Sequence, residues 1–277
     1  MTNQKVVLIT GASSGIGQAT AELLAAHGFT VFGSSRKPDA TVHPYTMLPL
    51  DVRSDTLVQT AVRSILDQTG RIDILINNAG YGQFGAIEEN SVTDLQAQFE
   101  TNLFGTMRLT NTVLPIMRSQ GGGRIINVSS VVGHVAPAYA GLYASSKFAL
   151  EGLSEALRQE VQPFNIHVSL VEPGFVKTNI AGASPAHPIA DYTLARQAAM
   201  QRVSAGIESG MEPEVVAQTI LQIITSAQPQ LRYPVGRAAS VLITLKRLLP
   251  EPLFDQVRRR VFSSAGTPSA LQHQFLG

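Results

Sequence analysis

Tyr143 and Lys147 are the residues of this sequence with the clearest potential for chemistry, because they lie four positions apart in the segment Tyr-Ala-Ser-Ser-Lys. On a helix, residues four apart project from the same face. An ammonium group beside a phenol favours the phenolate and lowers its pKa from a reference value near ~10. Such a tyrosine can give a proton to a carbonyl oxygen, or take one from an alcohol, near neutral pH. Taken alone, the pair is more typical of a polar helix surface.

A glycine-rich turn near the N-terminus provides a second candidate site. Gly11, Gly15 and Gly17 lie in Thr-Gly-Ala-Ser-Ser-Gly-Ile-Gly, between the apolar run 6–9 and an alanine-rich stretch at 17–27. A turn between a strand and a helix exposes backbone N–H groups and the positive helix end to phosphate. Glycine is needed where a cofactor approaches too closely for a Cβ. An ordinary Gly/Ser loop is the alternative, and the flanking patterns favour a nucleotide site.

Hydrophobic periodicity predicts the elements that must position these residues. Strands are predicted at 6–9, 30–33, 47–50, 72–76, 124–128 and 166–171, and helices at 17–27, 54–68, 92–117 and 142–161. Strands that alternate with helices imply a parallel sheet covered on both faces. The expected fold is therefore α/β, a doubly wound Rossmann sheet in three layers, and the chain is interpreted as one domain over 1–277.

Two regions depart from this alternation. Pro185 and Pro188 fall within a segment at about 174–210, which is predicted to be a substrate loop followed by a helix. Residues 238–277 are predicted to form a C-terminal helical extension of one or two helices, interrupted by Pro250 and Pro252. This extension is expected to cover the substrate cleft or an adjacent face of the protein. Arg258, Arg259 and Arg260 are interpreted as a solvated face of this extension.

Composition limits the functions that the chain can have. Hydrophobic residues make up 44% and charged residues 15%, which supports a large core and argues against disorder. The net charge of +1 gives no electrostatic case for nucleic acid. Cysteine is absent, which excludes disulfides and thiolate metal sites. No metal site is predicted. Without a secretory pattern or an apolar run of membrane length, a cytoplasmic location and no integral membrane segment are expected.

The order of the motifs resembles that of a short-chain dehydrogenase/reductase of the single-domain type. The glycine turn is followed by Asn77-Asn78-Ala79-Gly80, then by Ser130, and then by Tyr143 and Lys147, and the resemblance covers about residues 5–235. It implies an oxidoreductase that transfers hydride between a nicotinamide cofactor and a ketone, aldehyde or alcohol. Tyr143 would be the general acid and base, and Lys147 would also bond the nicotinamide ribose.

The resemblance also assigns roles to polar residues around this pair. Ser130 would orient the carbonyl group and stabilise its developing negative charge. Ser129 competes with Ser130 for this role, and the family spacing to Tyr143 favours Ser130. Asn102 matches the family asparagine that bends a helix and holds a proton-relay water. His134 is interpreted as a structural or substrate-lining residue.

The family pattern further implies a set of cofactor-binding residues. Asp51 and Val52 would lie against the adenine, Pro173 and Gly174 beside the nicotinamide, and Thr178 at the carboxamide. The predicted set consists of Gly11, Ser13, Ser14, Gly15, Ile16, Gly17, Ser35, Arg36, Asp51, Val52, Asn78, Ala79, Gly80, Tyr143, Lys147, Pro173, Gly174, Val176 and Thr178.

The residues after the second predicted strand indicate which cofactor is used. An NAD site needs an acid there to accept from the ribose 2′-hydroxyl. This chain has Ser35, Arg36 and Lys37, with no carboxylate before Asp39. Because a guanidinium suits a 2′-phosphate, NADP (NADPH) is predicted and NAD is less favoured. Many NADP-using relatives carry a second basic residue where this glycine turn has serines, so a solvated Arg36 is the alternative.

The predicted substrate walls are apolar and lack a basic cluster. They comprise Phe84, 131–139, Phe175 and 180–192. A small hydrophobic carbonyl or alcohol is therefore favoured over a phosphorylated sugar. Within the family, the segments 33–38 and 232–236 resemble the branch of 17β-hydroxysteroid and retinol dehydrogenases, which includes acyl-dihydroxyacetone-phosphate reductases. Relatives often pair through their long helices, so a homo-oligomer, a dimer or tetramer, is expected.

Two other functional classes are alternatives to an enzyme of this kind. A non-catalytic NADP-binding regulator on the same fold would commonly lack Tyr143 or Lys147, and both are present. A sugar-nucleotide epimerase would carry Gly-x-x-Gly-x-x-Gly and a longer substrate domain, and this sequence has neither feature.

Overall fold

A seven-stranded parallel sheet organises the chain in the computed structural model, which describes residues 4–38, 41–180 and 182–262. The strands in chain order are β1 (Val6–Thr10), β2 (Thr30–Ser35), β3 (Thr46–Pro49), β4 (Ile74–Asn77), β5 (Gly82–Gln83), β6 (Gly123–Val128), β7 (Ile166–Pro173), β8 (Gly182–Ala183) and β9 (Arg232–Val235). The sheet order is β3-β2-β1-β4-β6-β7-β9, and the two short strands β5 and β8 pair separately. The order reverses beside β1, where open α/β sheets bind ligands at the carboxyl ends of their strands.

Helices cover both faces of this sheet. They are α1 (Gly15–Ala26), α2 (Asp55–Thr69), α3 (Val92–Phe99), α4 (Gly105–Ser119), α5 (Gly141–Val161), α6 (Thr193–Glu208), α7 (Pro213–Thr225), α8 (Arg237–Leu248) and α9 (Glu251–Phe262). Alternate residues of β1 enter different cores. Val7 and Ile9 pack with residues of α1 and α7, whereas Val6 and Leu8 pack with residues of α2 and α4. The predicted three-layer Rossmann architecture is confirmed.

The helix predicted over 92–117 is more complex than a single α-helix. The α-helical hydrogen bonding of α3 gives way to a π-helical segment over Glu100–Phe104 before α4 begins. Side chains at helical spacing continue through the segment, so periodicity alone does not reveal it. π-helical turns introduce an extra residue and often mark functional sites. Asn102 lies in the middle of this one.

Besides the short strands β5 and β8, the sequence did not predict β9 or α7. β9 contains Pro234, which cannot donate to a sheet ladder, but β9 is the edge strand, where proline is tolerated. α7 begins with Pro213 at its first position, and its buried residues include Val216, Ile220 and Ile224. Proline at the first helical position, followed by apolar residues at this spacing, is a sequence pattern that indicates a helix such as α7.

The C-terminal region contains two helices, α8 and α9, that meet near Pro250. Phe254 of α9 is almost completely buried against Val135 and Leu242, so α9 packs on the body of the protein near the end of β6. Arg258 forms an ion pair with Asp255 and keeps 42% of its side chain exposed, which agrees with a solvated position. The side chains of Arg259 and Arg260, and residues 263–277 of the predicted extension, lie outside the described part.

Candidate active site

The glycine turn leads from the buried end of β1 into α1. Gly11 has φ of 67°, a left-handed conformation that glycine adopts without strain. A Cβ on Gly17 would overlap the carbonyl oxygen of Gly11 and lie 2.6 Å from the side-chain nitrogen of Asn78. Ser14 precedes α1 in extended backbone, and Thr178 packs against Gly15. The turn is therefore compact, and it directs the N-terminus of α1 to the carboxyl end of the sheet.

We expect Gly17→Ala to destabilise the protein and weaken nucleotide binding. The new methyl group would collide with backbone at Gly11, which cannot move aside as a flexible side chain would. Overpacking of this kind costs about 1–3 kcal/mol. Urea unfolding and NADPH fluorescence titration measure the two effects. The matched control is Gly152→Ala in the interior of α5, because a Cβ there meets nothing within 4 Å. An equal loss of stability in both variants would show that the collision at Gly11 is not the cause.

Hydrogen bonds join the glycine turn to the end of β4. The Thr10 hydroxyl accepts from the backbone N–H groups of Asn78 and Ala79, at 2.9 Å each. The Asn78 side chain donates to the carbonyl oxygens of Thr10 and Gly11, at 2.9 and 3.1 Å. A Cβ on Gly80 would lie 3.2 Å from the Asn102 side-chain oxygen. Two predicted cofactor segments are thus brought together, and Thr10, which was not among the predicted site residues, connects them.

The ends of β2 and β3 carry the residues predicted for the adenosine part of a cofactor. β2 ends at Ser35, and Arg36 follows with an exposed side chain. The Asp51 carboxylate forms a two-pronged ion pair with Arg53, whose shortest N–O distance is 2.6 Å. This hydrogen bonding holds the pKa of Asp51 below its usual value, and the charge of Arg36 contributes to the same lowering. Arg36 and Asp51 therefore lie near each other. Asp39 falls outside the described residues.

Val52, Pro173, Gly174 and Val176 complete the predicted cofactor set. Val52 is buried against α4, where a Cβ on Gly105 would lie 2.6 Å from it. Pro173 ends β7, and the Gly174 N–H donates to Val235 of β9 at 3.1 Å. Val176 is buried. These contacts place the segment after β7 at the same end of the sheet as the glycine turn.

Ser130, Tyr143 and Lys147 lie together where β6 ends and α5 begins. Lys147 Nζ lies 5.8 Å from the centre of the Tyr143 ring and donates to the Val128 carbonyl at 2.8 Å. The Ser130 hydroxyl donates to the Pro173 carbonyl at 3.4 Å and interacts by hydrogen bonding with Tyr143. Ser129, the competing serine, is buried, whereas Ser130 is only partly buried.

The electrostatics of the pair differ from the prediction. Burial raises the pKa of Tyr143 to about 12, although the interaction with Ser130 opposes this. Burial lowers the pKa of Lys147 to about 8, and the charge of Glu151 opposes that shift. The predicted lowering of the Tyr143 pKa by Lys147 is therefore wrong for the protein by itself. Desolvation disfavours the charged form of both groups.

Asn102 fixes the backbone opposite these residues. Its side-chain nitrogen donates to the Tyr81 carbonyl at 3.0 Å and to the Ser146 hydroxyl at 3.1 Å, and its side-chain oxygen accepts from the Tyr81 N–H at 3.1 Å. Asn102 thus ties the π-helical segment both to the chain after β4 and to α5. The predicted helix bend at Asn102 stays a prediction, and the structure shows π-helical hydrogen bonding at this position.

Apolar and aromatic side chains border the candidate active site. The Phe84 ring lies 6.2 Å from that of Tyr143, and the Tyr139 ring lies 6.4 Å from that of Tyr192. The Phe84 N–H donates to Ala183 at 2.8 Å, next to the short β5–β8 pair. The predicted substrate loop therefore packs directly over the segment that carries Phe84.

Glu89 anchors the far end of this loop. Its buried carboxylate accepts from the backbone N–H groups of Ala86 and Ile189, at 2.9 and 2.8 Å, and pairs with Arg196 at the start of α6. No residue of α6 is fully buried. Glu89 was not predicted, since a single acid in a loop gives no sequence signal of a contact more than 100 positions away.

His134 lies in a cluster of charged residues next to Lys147. Its Nε2 is 3.0 Å from the Glu172 carboxylate and 3.7 Å from that of Glu151, and Arg232 completes the cluster. The interpretation of His134 as a structural residue fits these contacts. Glu151, Glu172 and Arg232 were not predicted, because they come from separate elements that only the fold brings together.

In the described part of the chain, no helix combines the length and apolar character needed to span a membrane.

Comparison with known proteins yields a consistent family. The sequence matches the family described as short chain dehydrogenase over residues 5–188. It is 38% identical over 260 residues to a 3-ketodihydrosphingosine reductase of Bacteroides thetaiotaomicron, covering 92% of this chain and 97% of that protein. It is 36% identical to an oxidoreductase of Bacillus subtilis, covering 94% of this chain and 100% of that protein.

Solved structures agree with the sequence relatives. A short-chain dehydrogenase from Streptomyces avermitilis superposes with a TM-score of 0.81 at 34% identity, over 93% of this chain and 95% of that one. A short-chain dehydrogenase/reductase from Burkholderia phymatum in complex with NAD gives a TM-score of 0.78 at 25% identity, over 96% and 97%. The sequence match, the relatives and the shared sheet together show that this chain belongs to the short-chain dehydrogenase/reductase family of oxidoreductases.

Proposed function

We propose that the protein is an NADP(H)-dependent oxidoreductase that interconverts a hydrophobic ketone or aldehyde and its alcohol. The observation that carries this proposal is the meeting of Ser130, Tyr143 and Lys147 with the glycine turn at the carboxyl end of one parallel sheet. This arrangement supports a proposed nucleotide site and a proposed proton donor at the same end of the sheet, as hydride transfer to a carbonyl requires.

The glycine turn fits a dinucleotide cofactor. The backbone at Gly17 lies too close to Gly11 for a Cβ, which makes the turn compact. The turn leads into the N-terminus of α1, where exposed N–H groups favour phosphate. We propose that this turn holds the diphosphate, that Ser35 and Arg36 contact the adenosine ribose, and that 173–178 borders the nicotinamide. When bound, the nicotinamide supplies or accepts the hydride.

The proposed roles of the chain's own residues follow from their surroundings. Tyr143 donates a proton to the carbonyl oxygen during reduction and accepts one during oxidation. Ser130 stabilises the developing charge on that oxygen. Lys147 is positioned to contact the cofactor ribose. Asn102 fixes the backbone beside them.

Arg36 supports the choice of NADP. Its side chain is exposed at the end of β2, next to Asp51, whose carboxylate is already paired with Arg53. The guanidinium can therefore turn towards a 2′-phosphate. The Burkholderia relative was solved with NAD, so the proposal of NADP for this chain depends on such local charges.

The apolar border of the cleft supports a hydrophobic substrate. Phe84 lies against Tyr143, and Tyr139, whose carbonyl accepts from the Gly85 N–H, packs against Tyr192. Phe175, which follows Gly174, keeps 48% of its surface exposed. The Bacteroides relative is named for the reduction of a 3-keto compound, which agrees with a ketone as the reacting group.

A panel of carbonyl compounds tests this function. With NADPH, we expect kcat/KM to rise with alkyl length along a series of ketones, by about fourfold per added methylene, since each buried CH₂ contributes about 0.8 kcal/mol. A phosphorylated keto sugar serves as the control and is expected to react poorly. NADPH binding without turnover of any carbonyl would favour the non-catalytic regulator, and preference for the sugar would contradict the substrate class.

We also propose that the protein forms a homo-oligomer, a dimer or tetramer. Phe104, Met107 and Phe148 on the π-helical segment, α4 and α5 expose between 42% and 45% of their surface, which supports pairing through these helices. Sedimentation equilibrium tests this.

A further inference from the structure

Three ionisable side chains meet next to Lys147 in the interior of the protein. His134 Nε2 lies 3.0 Å from Glu172 Oε1 and 3.7 Å from Glu151 Oε2. The glutamate side chains are buried, with 7% of Glu151 and none of Glu172 exposed. Two carboxylates so close in a region of low dielectric need nearby positive charge if both are to ionise.

Arg232 of β9 supplies one positive charge. Its Nε lies 3.0 Å from Glu151 Oε2 and 3.5 Å from Glu172 Oε1, and its Nη2 contacts the exposed Glu155 at 2.7 Å. The buried part of the cluster therefore has two acids and one permanently charged base. Its guanidinium lies at the same carboxylate oxygens that His134 contacts, which would repel a divalent cation from that position.

Lys147 is the second cation within reach. It lies one helical turn before Glu151 on α5, and only 6% of its surface is exposed. Glu151 also borders the strand end that carries Ser130, because a Cβ on Gly133 would contact both Ser129 Oγ and Glu151 Cγ, at 3.0 and 3.1 Å. Lys147 Nζ and the Glu151 side chain therefore approach the same stretch of backbone, because Nζ bonds the Val128 carbonyl at 2.8 Å and Glu151 lies close to Ser129.

We propose that Glu151 is the counter-ion of Lys147 and keeps that lysine cationic, so that Glu151 is a positioning residue for the reaction. This inference rests on the proposed function for its catalytic consequence only. The direction of the effect agrees with the electrostatics: burial lowers the pKa of Lys147 to about 8, and Glu151 acts against that lowering. Without the carboxylate, the lysine would lose its proton at a lower pH.

The other charged groups around Glu151 act in known directions. Burial raises the pKa of Glu151, the charge of Glu172 raises it further, and His134 and Arg232 lower it. Tyr143 lies one turn before Lys147 on the same helix. Glu155 lies one turn after Glu151, shares Arg232 with it, and has 55% of its side chain exposed. Glu155 is therefore a matched control for loss of an arginine partner.

The ionisation of Lys147 can be measured directly, without substrate or cofactor. The chain has five lysines, so a protein labelled with ¹³Cε-lysine gives few side-chain signals, and Lys147→Arg identifies one of them. We expect Glu151→Gln to lower the pKa of Lys147 by roughly one unit or more, as loss of a neighbouring opposite charge does. In Glu155→Gln the pKa of Lys147 should stay at its wild-type value.

Glu172→Gln distinguishes charge from packing. Removing its like charge makes Glu151 easier to ionise, so the pKa of Lys147 should stay the same or rise. The proposal would be overturned if the pKa of Lys147 stayed unchanged in Glu151→Gln or fell equally in Glu155→Gln. It would also be overturned if the pKa of Lys147 fell in both Glu151→Gln and Glu172→Gln. If the enzyme turns over a carbonyl, the upper pH limit of kcat/KM should fall with the lysine pKa in Glu151→Gln. A protein without carbonyl activity would refute the proposed function and leave the titration fully interpretable.

Discussion

Tyr143→Phe is expected to lower kcat/KM for the best carbonyl substrate by roughly 100- to 10,000-fold, the usual contribution of general acid catalysis. The variant removes only the hydroxyl that would give its proton to the carbonyl oxygen. The ring remains next to Phe84, and Lys147 keeps its bond to the Val128 carbonyl. NADPH affinity, measured by fluorescence titration, should therefore stay close to that of the wild type.

Lys147→Ala provides the contrast for this prediction. It should reduce turnover and also weaken NADPH binding, because Lys147 is proposed to contact the cofactor ribose. Retention of more than about a tenth of wild-type activity in Tyr143→Phe would rule out Tyr143 as the proton donor, given the size expected for this step. Unchanged NADPH affinity in Lys147→Ala would contradict the ribose contact.

Changing the end of β2 should reverse the cofactor preference. Arg36→Ala should raise the KM for NADPH and leave that for NADH little changed, lowering the preference for NADP by roughly ten- to a hundredfold, the value of a charge-assisted bond. Ser35→Asp combined with Arg36→Ala should go further. The new carboxylate would repel the 2′-phosphate and could accept from the ribose hydroxyl of NADH.

The measurement is the ratio of kcat/KM for NADPH and NADH in the wild type and both variants. Lys37→Ala is the matched control, since Lys37 is the next basic residue along the chain and is also exposed. A wild type that prefers NADH, or an equal effect of Lys37→Ala, would show that Arg36 does not select the cofactor.

Local patterns were sufficient to predict most of the fold. A continuous apolar run identifies β1, because a strand buried on both faces carries no polar side, and shorter apolar stretches at 74–76 and 125–126 indicate β4 and β6. Pro234 concealed β9 from this approach. The π-helical segment was also missed, since its extra residue alters the hydrogen bonding of the backbone but not the character of its side chains.

Some features of the candidate site could be predicted from local sequence patterns, and others could not. The glycine turn and the Tyr143–Lys147 pair are contiguous in sequence, so spacing alone points to them. Glu89 with Arg196, and Glu151 with Arg232, pair across 107 and 81 positions. The pKa of Tyr143 depends on how deeply its hydroxyl is buried. Such properties arise only when separate elements pack together, and no local pattern encodes them.

The π-helical segment makes this part of the chain unusually sensitive to length. One residue advances an α-helix by about 100° of rotation and 1.5 Å of rise. Deleting a single residue within 100–104 could restore regular α-helical hydrogen bonding, but it would turn the side chains of α3 relative to those of α4. Asn102 could then no longer bond both Tyr81 and Ser146. We therefore expect substitutions on the exposed side of this segment to be tolerated, whereas insertions and deletions there should not be.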